Sequence, residues 1–307
     1  MIRYLRHTYI DLQKYDACVQ RHRPQVLYGY SWYLNTVCEQ WDALVLDDYD
    51  AVWPLPRAHK WGITYYYVPY GVQQLGIFSK KALSPEQYQA FYQVLRDQVY
   101  YADLNLNYAH QLPEPNPRAF HFQLRCNLVL DLKRPYREIY EGYTTNLKRK
   151  IRKLEKEKLT LFEHDGPEVL LKLFEENKGQ ELQLKEPFYR NIKQLMYKML
   201  HQNKGQLYTV YGGPNMLLAG AFMVEVDKRC YFLFSGLNEE GREAQAMAYL
   251  LNEFIIQRSE RSHLLDFEGS DQEGLARFYR SFGAEEQNYY RLILNRLPPP
   301  LRWLKKP

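Results

Sequence analysis

The chain has 307 residues, 46% of them hydrophobic and 25% charged. That is enough apolar surface for two domains or one large one, and it excludes a disordered chain. The net charge of +5 is modest and local: seven basic residues against two acidic ones between Asn146 and Lys158 account for all of it.

No apolar run approaches the ~18 residues of a membrane-spanning helix. The opening Met1 to His7 lacks the apolar stretch of a secretory signal. A cytoplasmic location is therefore expected, with Cys18, Cys38, Cys126 and Cys230 as reduced thiols, since no C-x-x-C spacing joins them. The eight histidines form no H-x-x-x-H pair, so no metal is expected. The 28 tyrosines pack with their rings and keep a polar tip, which suits wet clefts as well as cores.

Residues 1–25 mix polar and aromatic types without a clear period. Tyr30 to Gln40 is expected to be helical. Trp41 to Asp47 and Ala51 to Pro56 are expected as strands around the acidic turn Asp47 to Asp50. Gly62 to Val68 and Leu75 to Phe78 are further β-rich runs. Ser84-Pro85-Glu86 starts a helix reaching about Val99, with Ser as cap and Pro in the first turn. Ala102 to Asn107 and Asn127 to Asp131 are expected strands, and the Pro-rich run from Leu112 is a stiff loop.

Composition shifts at Lys133-Arg134-Pro135, which marks a domain boundary: 1–134 and 135–307, with the tail 296–307 free to pack on the first domain. Ile139, Tyr143, Leu147, Ile151 and Leu154 then repeat every three or four residues and make one apolar helical stripe, broken near Gly142. Helices are expected over 166–178 and 187–201. Three antiparallel strands follow at 206–211, 217–226 and 229–236, then a helix over 242–258, a strand over 263–267, a short helix ending near Gly283, and a last strand at 289–294. The first half has a similar order, so two copies of one α+β architecture are expected: mixed, mostly antiparallel sheets flanked by helices.

Four constellations carry chemistry. The face of the 146–158 helix opposite its apolar stripe holds Arg149, Arg152, Lys153 and Lys156. It could meet phosphates, or be a solvated outer face. The strand end Ser235-Gly236-Leu237 leads into a helix start with Arg242, where backbone N–H groups can meet an anion or an oxyanion. Asp266 and Glu268 lie on one face of a strand, and a desolvated carboxylate there could act as a base near the phenol of Tyr279. The same acid could instead cap the next helix. The run Tyr65 to Gly76, with Tyr67, Gln73 and Gln74, could line an acceptor cleft or simply alternate along a half-buried strand.

Ala276-Arg-Phe-Tyr-Arg-Ser-Phe-Gly283, after strand, helix and strand, resembles the last motif of the GNAT acyltransferase superfamily. The meander with Ala51-Val-Trp-Pro-Leu-Pro56, the basic helix from Asn146 and Asp266-Phe-Glu-Gly-Ser270 extend the likeness over most of the chain. They resemble the FemAB-like branch, that is, Fem-type aminoacyltransferases and FemAB-like acetyltransferase domains, which carry two tandem GNAT-like folds.

The resemblance implies acyl transfer from an acyl-CoA or acetyl-CoA thioester to a small-molecule or peptide amine. Tyr279 would be the acid and Glu268, or a water, the base. It implies donor binding by Ser235, Gly236, Leu237, Arg242, Arg149 and Arg152. Acceptor binding would fall to Tyr67, Gln73, Gln74, Ser270 and Arg280. Two departures stand out. The family's pyrophosphate loop reads Gln/Arg-x-x-Gly-x-Gly/Ala, whereas Arg242-Glu-Ala-Gln-Ala-Met247 has Gln245 and Met247 at the small positions. Fem-type enzymes often have Phe-Lys where this chain has Phe278-Tyr279. The alternatives are a tRNA-borne aminoacyl donor and a non-catalytic binding scaffold.

Overall fold

The computed structural model describes residues 1–112, 119–269, 271–299 and 301–302. The chain opens with β1 (Ile2–Arg6), α1 (Leu12–Arg21) and α2 (Ser31–Val37), then a hairpin of β2 (Trp41–Leu46) and β3 (Ala51–Lys60). Next come β4 (Ile63–Tyr66), β5 (Phe78–Ser79), α3 (Pro85–Gln98), β6 (Tyr101–Asn105) and β7 (Phe120–Arg125). Then follow β8 (Leu128–Asp131), α4 (Tyr136–Glu141), α5 (Thr145–Leu154), β9 (Thr160–Phe162) and α6 (Pro167–Phe174). After α7 (Gln180–Leu182) and α8 (Glu186–His201) comes a meander of β10 (Gly205–Tyr211), β11 (Leu217–Val226) and β12 (Arg229–Leu237). The chain finishes with α9 (Glu239–Glu243), α10 (Ala246–Arg258), β13 (Leu264–Asp266), α11 (Glu273–Arg280), β14 (Glu285–Glu286) and β15 (Tyr289–Asn295).

The chain forms two compact units, residues 1–125 with 288–307, and residues 126–287. In the first, the strand order is β1-β2-β3-β4-β6-β15-β7, with β5 on β3. In the second it is β14-β8-β13-β12-β11-β10-β9. Each order contains one parallel pair of strands, β4 with β6 and β12 with β13. A parallel neighbour cannot be reached by a hairpin, so a helix must cross over, and α3 and α10 do so. The shared order makes the protein an α+β tandem of two mixed, mostly antiparallel sheets.

Local chemistry explains most elements. Ser84 caps α3 through a full capping box with Gln87. Thr144 caps α5, whose Leu147, Ile151 and Leu154 are buried against the second core while Arg149, Arg152 and Lys153 are exposed. Phe91, Tyr92 and Leu95 of α3 pack with Trp53 in the first core.

The sheets divide the chain elsewhere than the composition shift at 133–135. That shift marks the start of α4 after Pro135, not a change of sheet. β8 lies before it, yet pairs with β13 and β14 of the second unit. β15, expected in the second domain, lies between β6 and β7 of the first sheet. Beyond it, Arg296 donates its backbone N–H to Tyr100 (2.7 Å) and its guanidinium to the carbonyl of Arg96 (2.8 Å). The helix expected over 242–258 is two helices, because Gln245 adopts a left-handed conformation (φ 56°) and resets the axis. β1, α1, β7, β9 and β14 had no clear signal. They are short, or alternate too weakly to stand out.

Candidate active site

The second sheet opens at its parallel pair. β13 pairs with β12 only from Arg229 to Tyr231, where Tyr231 meets Asp266. Two devices end the pairing. Between Phe222 and Met223 the β11–β12 register shifts, leaving Leu233 as the extra residue of a bulge that bends β12. On the other strand, Glu268 (φ 50°) and Gly269 (φ 52°) turn the chain out of the sheet.

Asp266 fixes the branch point. It is buried and accepts hydrogen bonds from Arg229 (2.6 and 3.1 Å), Asn127 (2.9 Å) and the backbone N–H of Glu268 (3.1 Å). A carboxylate so fully paired is structural, so Asp266 and Glu268 do not act as equivalent acids.

Beyond Tyr231, one edge of β12 pairs with no strand among the described residues. A cavity of about 360 Å³ lies along it. Its inner wall is apolar, from Phe232, Leu237, Met247, Ala248, Leu275 and Phe278, with Ser235 and Gly236 on the strand and Tyr279 on α11. Lys178, Arg242 and Gln245 also line it. Glycine is required at one position nearby and gives a close fit at another. A Cβ on Gly241 would lie 2.1 Å from the carbonyl oxygen of Leu218, and one on Gly236 would lie 3.1 Å from the backbone nitrogen of Phe174. These close approaches seat α9 and α6 beside the strand end.

Tyr279 is 4% exposed. Its ring stacks on Phe267 at 4.5 Å and meets Phe232 edge-on at 6.1 Å. Burial, and secondarily the charge of Glu268, push its phenol well above the ordinary tyrosine value. It therefore holds its proton at neutral pH. Its hydroxyl has no hydrogen-bond partner among the described residues. Glu268 is half-buried and does not line the cavity; it acts on Tyr279 through charge.

The structure thus brings together Ser235, Gly236, Leu237, Arg242 and Tyr279 of the residues singled out in the sequence. Others lie elsewhere. Arg149 and Arg152 point to solvent, and Arg149 bonds Asn146 (3.2 Å). It is Lys150 that reaches inward, donating to the Gln245 side chain at 2.6 Å. With Lys153 it lines a second cleft of about 150 Å³ that shares Gln245 with the cavity. Arg280 is held by Glu286 (2.6 Å). Ser270 lies outside the described residues.

Tyr67, Gln73 and Gln74 belong to the first unit. There β4 and β6 pair only at Tyr66 and Ala102, and the chain then returns so that Leu75 bridges Leu106. Gln74 donates to Gln73 (2.7 Å) and accepts from the N–H of Tyr108 (2.8 Å), and both glutamines are buried. Their buried amides bond to each other and to the backbone of Tyr108. Tyr67 is half-buried, and burial raises its phenol to about 12.

Lys178 had no sequence signal. It sits in a π-helical turn, Glu175–Gly179, that continues α6. Gln245 and Met247 were visible as departures, and both line the cavity. A backbone approach by a pyrophosphate would meet their side chains, so the helix start fits coenzyme A poorly although Arg242 and Lys178 supply cations. Among the described residues no helix is long and apolar enough to cross a membrane.

The family model for the acetyltransferase (GNAT) domain matches residues 142–280. No curated protein sequence matches the chain. Among solved structures, FemX is 13% identical with a TM-score of 0.64, covering 98% of this chain and 99% of its own. A conserved protein of unknown function from Bacteroides thetaiotaomicron is 11% identical, TM-score 0.62, with 95% and 99% covered. The L-PGS structure from Bacillus licheniformis is 10% identical, TM-score 0.53, with 96% and 95% covered. At these identities the likeness is one of fold. Residues 142–280 thus match the acetyltransferase (GNAT) domain model, in a chain with the tandem FemAB-like fold.

Proposed function

We propose that the cavity of the second unit carries acyl transfer to an amine, with Tyr279 as the acid. One juxtaposition supports this most: Tyr279 and the edge of β12 that pairs with no strand among the described residues line the same cavity. The amine nitrogen attacks the donor's acyl carbon. The carbonyl oxygen becomes an oxyanion and accepts hydrogen bonds from backbone N–H groups near Ser235 to Leu237. The bond to the leaving sulfur or oxygen breaks, and Tyr279 supplies the proton that the leaving atom takes. The amine proton passes through water to Glu268, which returns a proton to the phenolate by the same water route.

A thioester donor is the first reading. A second, an ester carried on RNA, is favoured by two observations. Gln245 and Met247 crowd the helix start, and Lys150 joins the basic face of α5 to that turn. A phenol raised by burial also suits an alkoxide leaving group better than a thiolate, whose conjugate acid lies near ~8.5.

Tyr279→Phe keeps the ring packing and removes the proton. It is expected to lower kcat by about 10²- to 10⁴-fold with little change in KM. Unchanged turnover would remove Tyr279 from this role. Thermal shifts with acetyl-CoA, longer acyl-CoAs and tRNA separate the donors, because a ligand specific to the native state stabilises it by mass action. A shift with none of them favours a binding scaffold.

A further inference from the structure

We propose that the first unit carries a binding site for a small aromatic carboxylate, formed by the β3–β4 turn, one face of β4 and β6, and the segment after β15. None of its lining residues lines the cavity along β12, so it stands apart from acyl transfer.

Its walls follow from strand alternation. Tyr66 of β4 and Ala102 and Leu104 of β6 belong to the first core. Ile63, Tyr65 and Tyr101 therefore lie on the opposite face of the sheet. Tyr66 pairs with Ala102, which sets the Tyr65 and Tyr101 rings edge to face at 6.4 Å. After β15 the chain turns back, and Arg302 donates its N–H to the carbonyl of Pro298 (3.2 Å). That turn brings Leu297 and Leu301 to the same space, a cavity of about 310 Å³.

Lys60 and Trp61 complete the lining. Trp61 and Gly62 are the two central residues of the β3–β4 hairpin, and both have positive φ (53° and 79°). Asn, Asp or Gly is the usual first residue of such a turn. A tryptophan there strains the backbone and leaves its indole 73% exposed. The hairpin needs neither, whereas an indole on a cavity wall gives a flat ring a surface to stack on. A bulky side chain kept in a left-handed turn is thus a mark of function.

Charge selects the ligand. The Lys60 ammonium lies 4.6 Å from the Trp61 ring centre, and it makes no ion pair among the described residues. No acidic side chain among them lines the cavity. Asp103, on the same face of the sheet, is held by Arg291 (2.6 Å). A cationic ligand would meet like charge. A sugar would need a partner for each hydroxyl, and the lining offers few beyond Lys60 and the tyrosine hydroxyls. A flat apolar body with a carboxylate satisfies both the rings and the ammonium. The volume suits one ring and a short acid arm.

The test is titration of the full chain with hydrocinnamate. Ligand-observed NMR gives the affinity, and the indole N–H signals of the tryptophans give the place. A Kd near or below about 1 mM is expected. The Trp61 signal should move, while those of the buried Trp41 and Trp53 stay. Trp61→Asn should weaken binding about three- to tenfold. Its stability to urea should equal or exceed that of the native chain, because Asn suits the turn. Lys60→Gln should weaken the acid about three- to fivefold and leave its neutral amide, hydrocinnamamide, unchanged. Lys81→Gln, at an exposed lysine elsewhere in the unit, should change neither. A Trp61 signal that does not respond to the acid would overturn the proposal. So would equal affinity for acid and amide, equal losses from Lys60→Gln and Lys81→Gln, or a less stable Trp61→Asn, which would make the indole structural.

Discussion

His110 shows how strongly single buried groups shape this protein. Its ring accepts from the N–H of Ile77 (3.3 Å) and bonds the Tyr92 hydroxyl (2.8 Å), beside Trp53. Burial, with a smaller effect from His22, lowers its pKa from 6.5 to about 3. Below pH 6.5 the unfolded chain takes up a proton here and the folded chain does not. Stability should therefore fall as pH drops from 6.5 towards 3, by up to about 1.4 kcal/mol per pH unit. Urea unfolding of the native chain and His110→Gln at pH 7.5, 6 and 5 checks this, with a shallower slope expected for the variant. A histidine between Ala109 and Gln111 gives no hint of this in the sequence, because its surroundings include Ile77 and Trp53, far from it in the chain. Tyr279 was legible because a motif named it. Asp266 could not be told apart from Glu268 in the sequence, because its partners, Arg229 and Asn127, are far away in the chain.

At the scale of elements, apolar stripes and caps were readable. α3 and α5 lie where Ser84, Thr144 and the repeat from Ile139 to Leu154 place them. What escaped were departures from regular geometry: the π turn that carries Lys178 and the left-handed break at Gln245. Glycine normally announces such a break, and here glutamine makes it. Gln245→Gly should remove about 1 kcal/mol of backbone strain and lose the bond from Lys150, leaving stability within about 1 kcal/mol of the native chain. It also clears the helix start. If side-chain crowding governs donor choice, calorimetry should show tighter coenzyme A binding by this variant. Unchanged affinity would place the obstacle at Met247 instead.

For the whole molecule, the duplicated architecture was visible in the order of elements, but the partition of strands was not. Leu-Val-Leu in β8 and Leu-Ile-Leu in β15 suit either sheet, and pairing alone decides between them. A fragment of residues 126–287 should therefore unfold cooperatively in urea. A fragment of 135–307, cut at the composition shift, lacks β8 and carries β15 without neighbours, and is expected to aggregate. Comparable behaviour of the two fragments would show that strand pairing matters less than local packing.

The place of β15 also has a consequence in time. During synthesis, β6 and β7 leave the ribosome early, but the strand between them follows only after residues 126–287. At roughly 5–20 residues per second this is a delay of about 10–30 s. For that interval the nascent first sheet has a missing rung, while the second unit can already close on itself. The unit that begins first is thus the one finished last, and a chaperone that shields open strand edges would meet it in that window.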